Sequence, residues 1–257
     1  MDNNRPSRPR VSVIVAVYNS EAYLRDCIES LLAVDAAAGD VELIFVDNGS
    51  TDGSLDIARS YAALTVLEEP TRGAYPARNA GIMAARAPVI AFTDADCTVD
   101  KAWVRVLLEH MEQPAAGLLL GQVLFPREAS LLLHTIGNWE NAKAAFIAQK
   151  GTAGNRIAYC NNMAVRASLF SDLGLFRPWK RAGDSEFAQR VAQQKPDLAF
   201  AFDPRMKVTH HEFLRARDRA RRLRLYTGTN TQIEGFRELT FGQRMRILGG
   251  MLAGSGR

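Results

Sequence analysis

The sequence is poor in the features that define several protein classes. Only three of its 257 residues are cysteine (Cys27, Cys97 and Cys160), widely spaced and without a C-x-x-C pair. That excludes a disulfide scaffold and a four-cysteine zinc site, and it predicts a reducing, cytoplasmic setting. No apolar run approaches the roughly 18 residues of a membrane-spanning helix, and no signal-type apolar stretch follows the polar segment Met1 to Arg10. A soluble or peripheral protein is expected. Excess charge of one sign is also scarce: 32 basic against 28 acidic residues leave +4, too mild to argue nucleic-acid binding. There is no internal repeat and no low-complexity tract. What remains is an ordinary globular composition, 47% hydrophobic and 23% charged, long enough for one large α/β domain with a sizeable core.

The first hundred residues alternate strand and helix. Val11 to Val17 and Val41 to Val46 are β-rich and almost wholly apolar, as strands buried on both faces of a parallel sheet must be. Between them, Ala22, Leu24, Cys27, Ile28, Leu31 and Leu32 recur at helical spacing behind the capping run Asn19-Ser20-Glu21. Helices are predicted over 54–63 and 76–85, and strands over 64–67 and 89–93. The second half predicts a strand over 116–124 and a long helix over 130–148. A flexible loop at 151–156 precedes a short strand within 158–166, interrupted by Asn161-Asn162. A helix over 184–194 and two short strands, 198–202 and 206–209, follow. In such sheets ligands bind beyond the carboxyl ends of the strands. Three polar loops fall there: Tyr18-Asn19, Asp47 to Asp52, and Asp94-Ala95-Asp96.

Asp94 and Asp96, directly after a buried strand, can present oxygens to a hard divalent cation that keeps positions open for phosphate. A capped turn is the bland alternative, since Asp is a common turn residue. The acids Asp184 and Glu186 open a predicted helix, where the dipole alone favours negative charge. His210 and His211 end a short strand. Neighbouring side chains on extended backbone point to opposite faces, so one of the two at most serves a shared site.

Four segments occur in order: Val11 to Asn19, Val46-Asp-Asn-Gly-Ser-Thr-Asp-Gly53, Gly73-Ala-Tyr-Pro-Ala-Arg-Asn-Ala-Gly81 and Phe92-Thr-Asp-Ala-Asp96. Their order and spacing resemble the family 2 glycosyltransferases, nucleotide-sugar-dependent enzymes of the GT-A fold, over about residues 10 to 211. The resemblance implies a Rossmann-like, mostly parallel sheet flanked by helices over 11–211, with a nucleotide-sugar-binding half (11–98) and an acceptor-binding half (99–211). A polar tail (1–10) and a basic helical extension (212–257) would flank it.

It also implies roles. Ala16, Tyr18 and Glu21 match the segment lining base and ribose. Asp47 and Asn48 match a base-reading pair whose second member is commonly Asp; Asn48 can still accept from a ring N–H and can donate, leaving uridine diphosphate slightly favoured. Arg78 matches a basic residue beside the nucleotide. Asp94 would contact ribose or metal-bound water, Ala95 lies between the acids, and Asp96 would bind Mg²⁺ or Mn²⁺. His210 matches a late metal ligand, with His211 as the alternative. Asp184 matches the general base of an inverting transfer and Glu186 an accessory acid, although Gly183 replaces the first acid of the family pattern. Asn161 or Asn162 would meet sugar hydroxyls, and Trp179 would stack on a saccharide, lipid-linked or small-molecule acceptor.

Two rivals share these residues. Asp94-Ala-Asp96-Cys-Thr98 fits the D-x-D-x-T nucleophile motif of haloacid-dehalogenase-like phosphatases, but Gly183-Asp184 follows Trp-Lys-Arg-Ala where those enzymes carry an apolar strand. A catalytically silent GT-A-like binding protein is the other. Arg221-x-x-Arg224 resembles the acceptor-channel motif of processive synthases, yet Leu225 stands in place of its Trp, which favours single addition. Residues 212–225 hold six arginines against Glu212 and Asp218, a surplus equal to that of the whole chain. This segment is the candidate for peripheral contact with the inner face of a membrane.

Overall fold

The computed structural model describes residues 8–212. All but the first residue of the basic extension, and most of the N-terminal tail, lie outside the described residues. Arg10 belongs to the fold: its guanidinium pairs with Asp40 at 3.3 Å and with Glu112.

Eight strands form one sheet in the order β3-β2-β1-β4-β7-β6-β8-β5. They are β1 (Val11–Val17), β2 (Val41–Asp47), β3 (Leu64–Glu68), β4 (Val89–Asp94), β5 (Cys97–Val99), β6 (Ala116–Leu124), β7 (Asn162–Arg166) and β8 (Ala199–His210). The first four strands are parallel. β7 runs antiparallel to both β4 and β6, and β5 runs antiparallel to β8, so the sheet is mixed. Among the described residues the α-helices are α1 (Glu21–Leu32), α2 (Ser54–Arg59), α3 (Ala74–Ala84), α4 (Trp103–Met111), α5 (Leu131–Lys150), α6 (Ser168–Leu173) and α7 (Gly183–Gln194).

The apolar runs are explained by cover on both faces. Val11, Val13, Val15 and Val17 of β1 pack with Leu24, Ile28 and Leu31 of α1 and Trp103 of α4. Ile14, on the opposite face, joins Ile44, Ile90 and Phe92 against α3, α5, α6 and α7. Gly81 of α3 lets that helix approach β1, because a Cβ there would stand 2.5 Å from Ile14 Cγ2.

Three local expectations are corrected. The two strands predicted over 198–209 are one, β8, whose register against β6 jumps between Gly121 and Gln122. Asp203 sits in that irregularity and holds it by accepting from Arg205 N at 2.8 Å and from the Arg205 guanidinium. The loop at 151–156 contains a 3₁₀ turn (Ala153–Asn155) in which the Thr152 and Asn155 side chains cap each other. Asn162 does not interrupt a strand; it starts β7, opposite Thr93 of β4.

Candidate active site

The carboxyl ends of β1 and β4, together with α3, α5 and α7, enclose a cavity of about 840 Å³, within the size range of small-molecule sites. Its lining brings together Ala16, Tyr18, Asn48, Arg78, Asp94, Ala95, Asp96, Asn161, Asp184 and His210. These residues come from both halves of the chain, and the topology explains why. β1 and β4 are adjacent, so their ends place Ala16 beside Asp94 in register. The three-residue β5 then pairs Cys97 with His210, returning the end of β8 to the turn after β4.

At the end of β4, Arg78 is buried and its Nη2 donates to Asp94 Oδ1 at 2.7 Å. Its Nε is a buried N–H without a protein partner, and a buried unsatisfied cationic donor lining a cavity suits an anionic ligand. His210 Nε2 stands 3.7 Å from Asp96 Oδ2. An imidazole and a carboxylate at this separation fit the donor set of a divalent cation. His211 turns away, its ring against Thr98 Oγ1 at 2.9 Å and its backbone N–H donating to Asp96 O. Of the two histidines, His210 is the one brought to Asp96.

The neighbouring Asn48 is committed to its own loop. Its Nδ2 donates to Glu69 O and Thr71 O, each at 2.8 Å, and its Oδ1 accepts from Gly73 N at 2.7 Å. The donor function expected of Asn48 toward a base is therefore spent, and one lone pair of Oδ1 remains. The loop it holds carries Arg72, whose guanidinium carbon lies 4.7 Å above the exposed ring of Tyr18. Asp47 shapes the preceding turn by accepting from Gly49 N and Ser50 N, and it does not line the cavity. Glu21 also lies outside the lining; its carboxylate accepts from Gly53 N at 3.0 Å at the start of α2.

Asp184 is the second residue of α7. Its Oδ1 accepts from Ser185 N (2.9 Å) and from Tyr75 Oη (3.2 Å), and its Oδ2 from Cys160 N (3.2 Å). Burial pushes this carboxyl above its ordinary range, against the pull of Arg78 and of the three hydrogen bonds. The Tyr75 hydroxyl, itself shifted up by burial, stays a proton donor and accepts from Gly183 N at 2.8 Å. Tyr75 explains the missing acid at position 183, since a Cβ there would meet its ring carbons at 3.0 Å. The ring packs on Phe176, which α3 pins through a reciprocal pair between Asn79 and the Phe176 backbone.

Three other expected residues are placed differently. Glu186 is buried but faces away from the cavity, held by Arg190 at 3.1 Å and Arg177 at 3.3 Å. Asn162 is 1% exposed; its Oδ1 accepts from Trp103 Nε1 at 2.8 Å and its Nδ2 donates to Gln122 O and Met206 O. It therefore ties α4, β6 and β8 together and is not available to a sugar. Its neighbour Asn161 lines the cavity with a buried, unpartnered Oδ1. Trp179 is half-buried outside the lining, whereas the adjacent Lys180 and Arg181 line it. Tyr75, Arg72, Lys180 and Arg181 were missed by sequence reasoning. For Arg72 the adjacent Gly73, at φ 134°, was a readable cue, while Tyr75 meets Asp184 across 109 residues and gives no local one.

The family model for Glycosyl transferase family 2 matches residues 12–174, more than half of the chain, and the chain belongs to that family. Glycosyltransferase AglE of Haloferax volcanii is 26% identical over 202 residues, covering 76% of this chain and 65% of its own length. Putative glycosyltransferase EpsH of Bacillus subtilis is 40% identical over 104 residues, 39% of this chain and 30% of its own. The chain thus spans less than two thirds of each of these curated relatives. Among solved structures, the mannosyltransferase PcManGT from Pyrobaculum calidifontis, in complex with GDP-Man and Mn²⁺, superposes with a TM-score of 0.62 at 24% identity, covering 79% of this chain and 57% of that one. S. aureus TarS 1–349 with UDP-GlcNAc gives 0.59 at 20% identity, covering 79% and 58%. These likenesses show the GT-A fold. The family match runs through the Asp94 to Thr98 segment and displaces the phosphatase alternative.

Proposed function

We propose that this chain transfers one sugar from a nucleoside-diphosphate sugar to an acceptor hydroxyl, with inversion at the anomeric carbon and with Mg²⁺ or Mn²⁺ at the donor. The observation that carries the proposal is one cavity whose lining joins Arg78, Asp94, Asp96 and His210, a set suited to a metal-bound diphosphate, with a buried carboxylate, Asp184, held by Tyr75. The buried Arg78 binds and orients the diphosphate and offsets the charge that develops on it as it leaves. Asp96 and His210 would hold the metal, which when bound supplies further positive charge to the diphosphate. Asn161 Oδ1 accepts from a sugar hydroxyl. Asp184 takes the acceptor proton as the acceptor oxygen attacks, and Tyr75 aims its carboxylate. Lys180 and Arg181 give the acceptor end a basic rim that favours an anionic or lipid-phosphate-linked saccharide.

Uridine is the first base to test, because Asn48 Oδ1 keeps a lone pair for a ring N–H. Guanosine belongs beside it, since PcManGT is a GDP-Man complex. The arginine-rich segment 212–257 is the proposed contact with an anionic membrane surface; vesicle binding that persists without it removes that role.

The deciding experiment is a panel of nucleotide sugars with and without Mn²⁺, scored for thermal stabilisation and donor hydrolysis. Asp96→Ala should abolish metal-dependent stabilisation. Asp184→Asn should keep stabilisation and lose transfer. Full transfer by Asp184→Asn sinks the base assignment, and no response to any nucleotide sugar sinks the function.

A further inference from the structure

The turn after β4 brings a third ligand-bearing side chain to Asp96 and His210, one that the sequence pattern does not single out. Cys97 opens β5 and is the direct register partner of His210 on β8. Residues directly opposite in an antiparallel pair project from the same face. The Cys97 sulfur, a carboxylate oxygen of Asp96 and a ring nitrogen of His210 all lie within 4.8 Å of one another. The Cys97 S–H donates to Asp96 Oδ1 at 3.7 Å, and His210 Nε2 is 3.7 Å from Asp96 Oδ2. Around a tetrahedral zinc-class ion, with bonds of about 2.0 to 2.3 Å, neighbouring ligand atoms sit about 3.5 Å apart. The trio therefore needs little movement to close on such an ion. Cys97 has no exposed surface and His210 is 6% exposed, so bulk water does not compete freely for these atoms.

We propose that Cys97 makes this centre a trap for borderline and soft divalent ions. Zn²⁺, Co²⁺ or Cd²⁺ is held by Asp96, Cys97 and His210 together, whereas Mg²⁺ and Mn²⁺ use only the oxygen and nitrogen ligands. Hard ions gain little from sulfur, while thiolate selects zinc-class ions, and cobalt and zinc already exceed manganese in affinity at nitrogen and oxygen sites. In the binding step the metal–sulfur bond replaces the S–H bond and the proton leaves to solvent, with no change of oxidation state. The inference rests on the donor-site reading for Asp96 and His210, and it adds a consequence: zinc-class ions occupy the site without nucleotide and compete with Mn²⁺.

The test adds Co²⁺ to the metal-stripped full-length chain, without nucleotide, and reads the near-ultraviolet thiolate-to-cobalt charge-transfer band. The wild type should show the band, Zn²⁺ should erase it, and equal Mn²⁺ should leave it. Cys97→Ser and Cys97→Ala should lose it. Cys27→Ser, which removes the nearby buried thiol that donates to Asp94 O, should keep it. Zn²⁺ affinity in Cys97→Ser should fall at least tenfold to about a hundredfold, the loss found even for outer-shell partners of metal ligands. A wild type without the band overturns the proposal, and needs no variant to fold. So does a band that survives Cys97→Ser, or one lost with Cys27→Ser. Mn²⁺-dependent stabilisation by nucleotides, measured in parallel on the wild type, judges the donor site separately: its absence refutes that reading, whereas its presence without a cobalt band refutes only the role of Cys97.

Discussion

Asn161 and Asn162 are adjacent in sequence and opposite in role, and replacing each by alanine separates them. Asn162→Ala removes the acceptor of the Trp103 indole N–H and the donors to Gln122 O and Met206 O, all at a position 1% exposed. A buried polar group left unsatisfied costs about 1–3 kcal/mol. Two buried groups, Trp103 Nε1 and Met206 O, are orphaned and Gln122 O is only partly buried, so the loss is about 2 kcal/mol even if each buried group costs the minimum. That is a large share of the about 5–15 kcal/mol that holds a typical domain together, and for a chain of this size it lowers the melting temperature by about 4–8 °C. Asn161→Ala removes a carboxamide whose buried oxygen has no protein partner and should melt within about 0.5 kcal/mol of wild type, as substitutions away from such networks do. Its donor hydrolysis or sugar-dependent stabilisation should nevertheless fall. Calorimetry on both variants, with and without nucleotide sugar, supplies the comparison. Equal melting temperatures for the two, or a destabilised Asn161→Ala, would refute the division of labour.

With Asp184 as the proposed base, transfer requires its ionised form, and burial raises its pKa, so the rate should climb with pH through a limb above the usual carboxylate range. Tyr75→Phe deletes a hydrogen bond to the charged form and should move that limb to higher pH; an unmoved profile removes Tyr75 from the site. Restoring an acid with Gly183→Glu should cost about 1–3 kcal/mol through overpacking. Combining it with Tyr75→Leu should recover part of that loss, whereas simple additivity in the double-mutant cycle denies the contact. Asp203 is a pH-sensitive element of the scaffold: burial opposes ionisation, but Arg205 and His110 hold its carboxyl down at about 2. Its contribution, up to about 2 kcal/mol, is fully present above its unfolded value near pH 4 and is lost as pH falls toward 2. Asp203→Asn should lower stability at pH 7 and flatten that acid window; denaturant melts at pH 7 and pH 2.5 check both.

The parallel core was readable because β1, β2 and β4 are buried on both faces, which writes an uninterrupted apolar run into each. The strand-end acids were readable for the same reason, since Asp94 breaks such a run. β5 escaped detection: three residues carry no periodicity, and its existence depends on β8 arriving from the far end of the chain. The split of β8 into two strands was a misreading of an irregularity that Asp203 and Arg205 stabilise in place. Sequence alone offers Asn162 beside Asn161 for the sugar and Glu186 as an accessory acid, because residue type does not distinguish a polar side chain facing a cavity from one facing a buried partner. Tyr75 was invisible for the converse reason, its role being defined by a neighbour remote in sequence.

The pairing of β5 with β8 also fixes when the proposed metal site can form. Thr98 and His211 meet across 113 residues of chain, and the family-matched segment ends at residue 174, before β8 begins. During synthesis, Asp94 and Asp96 leave the ribosome before His210, and closing so long a loop carries an entropic cost that the pairing of β8 with β6 helps offset. A nascent chain can assemble the nucleotide-facing strands early and still lack the ligand that completes the ion's seat. β8, the last strand among the described residues, thereby decides whether the paired acids face an imidazole.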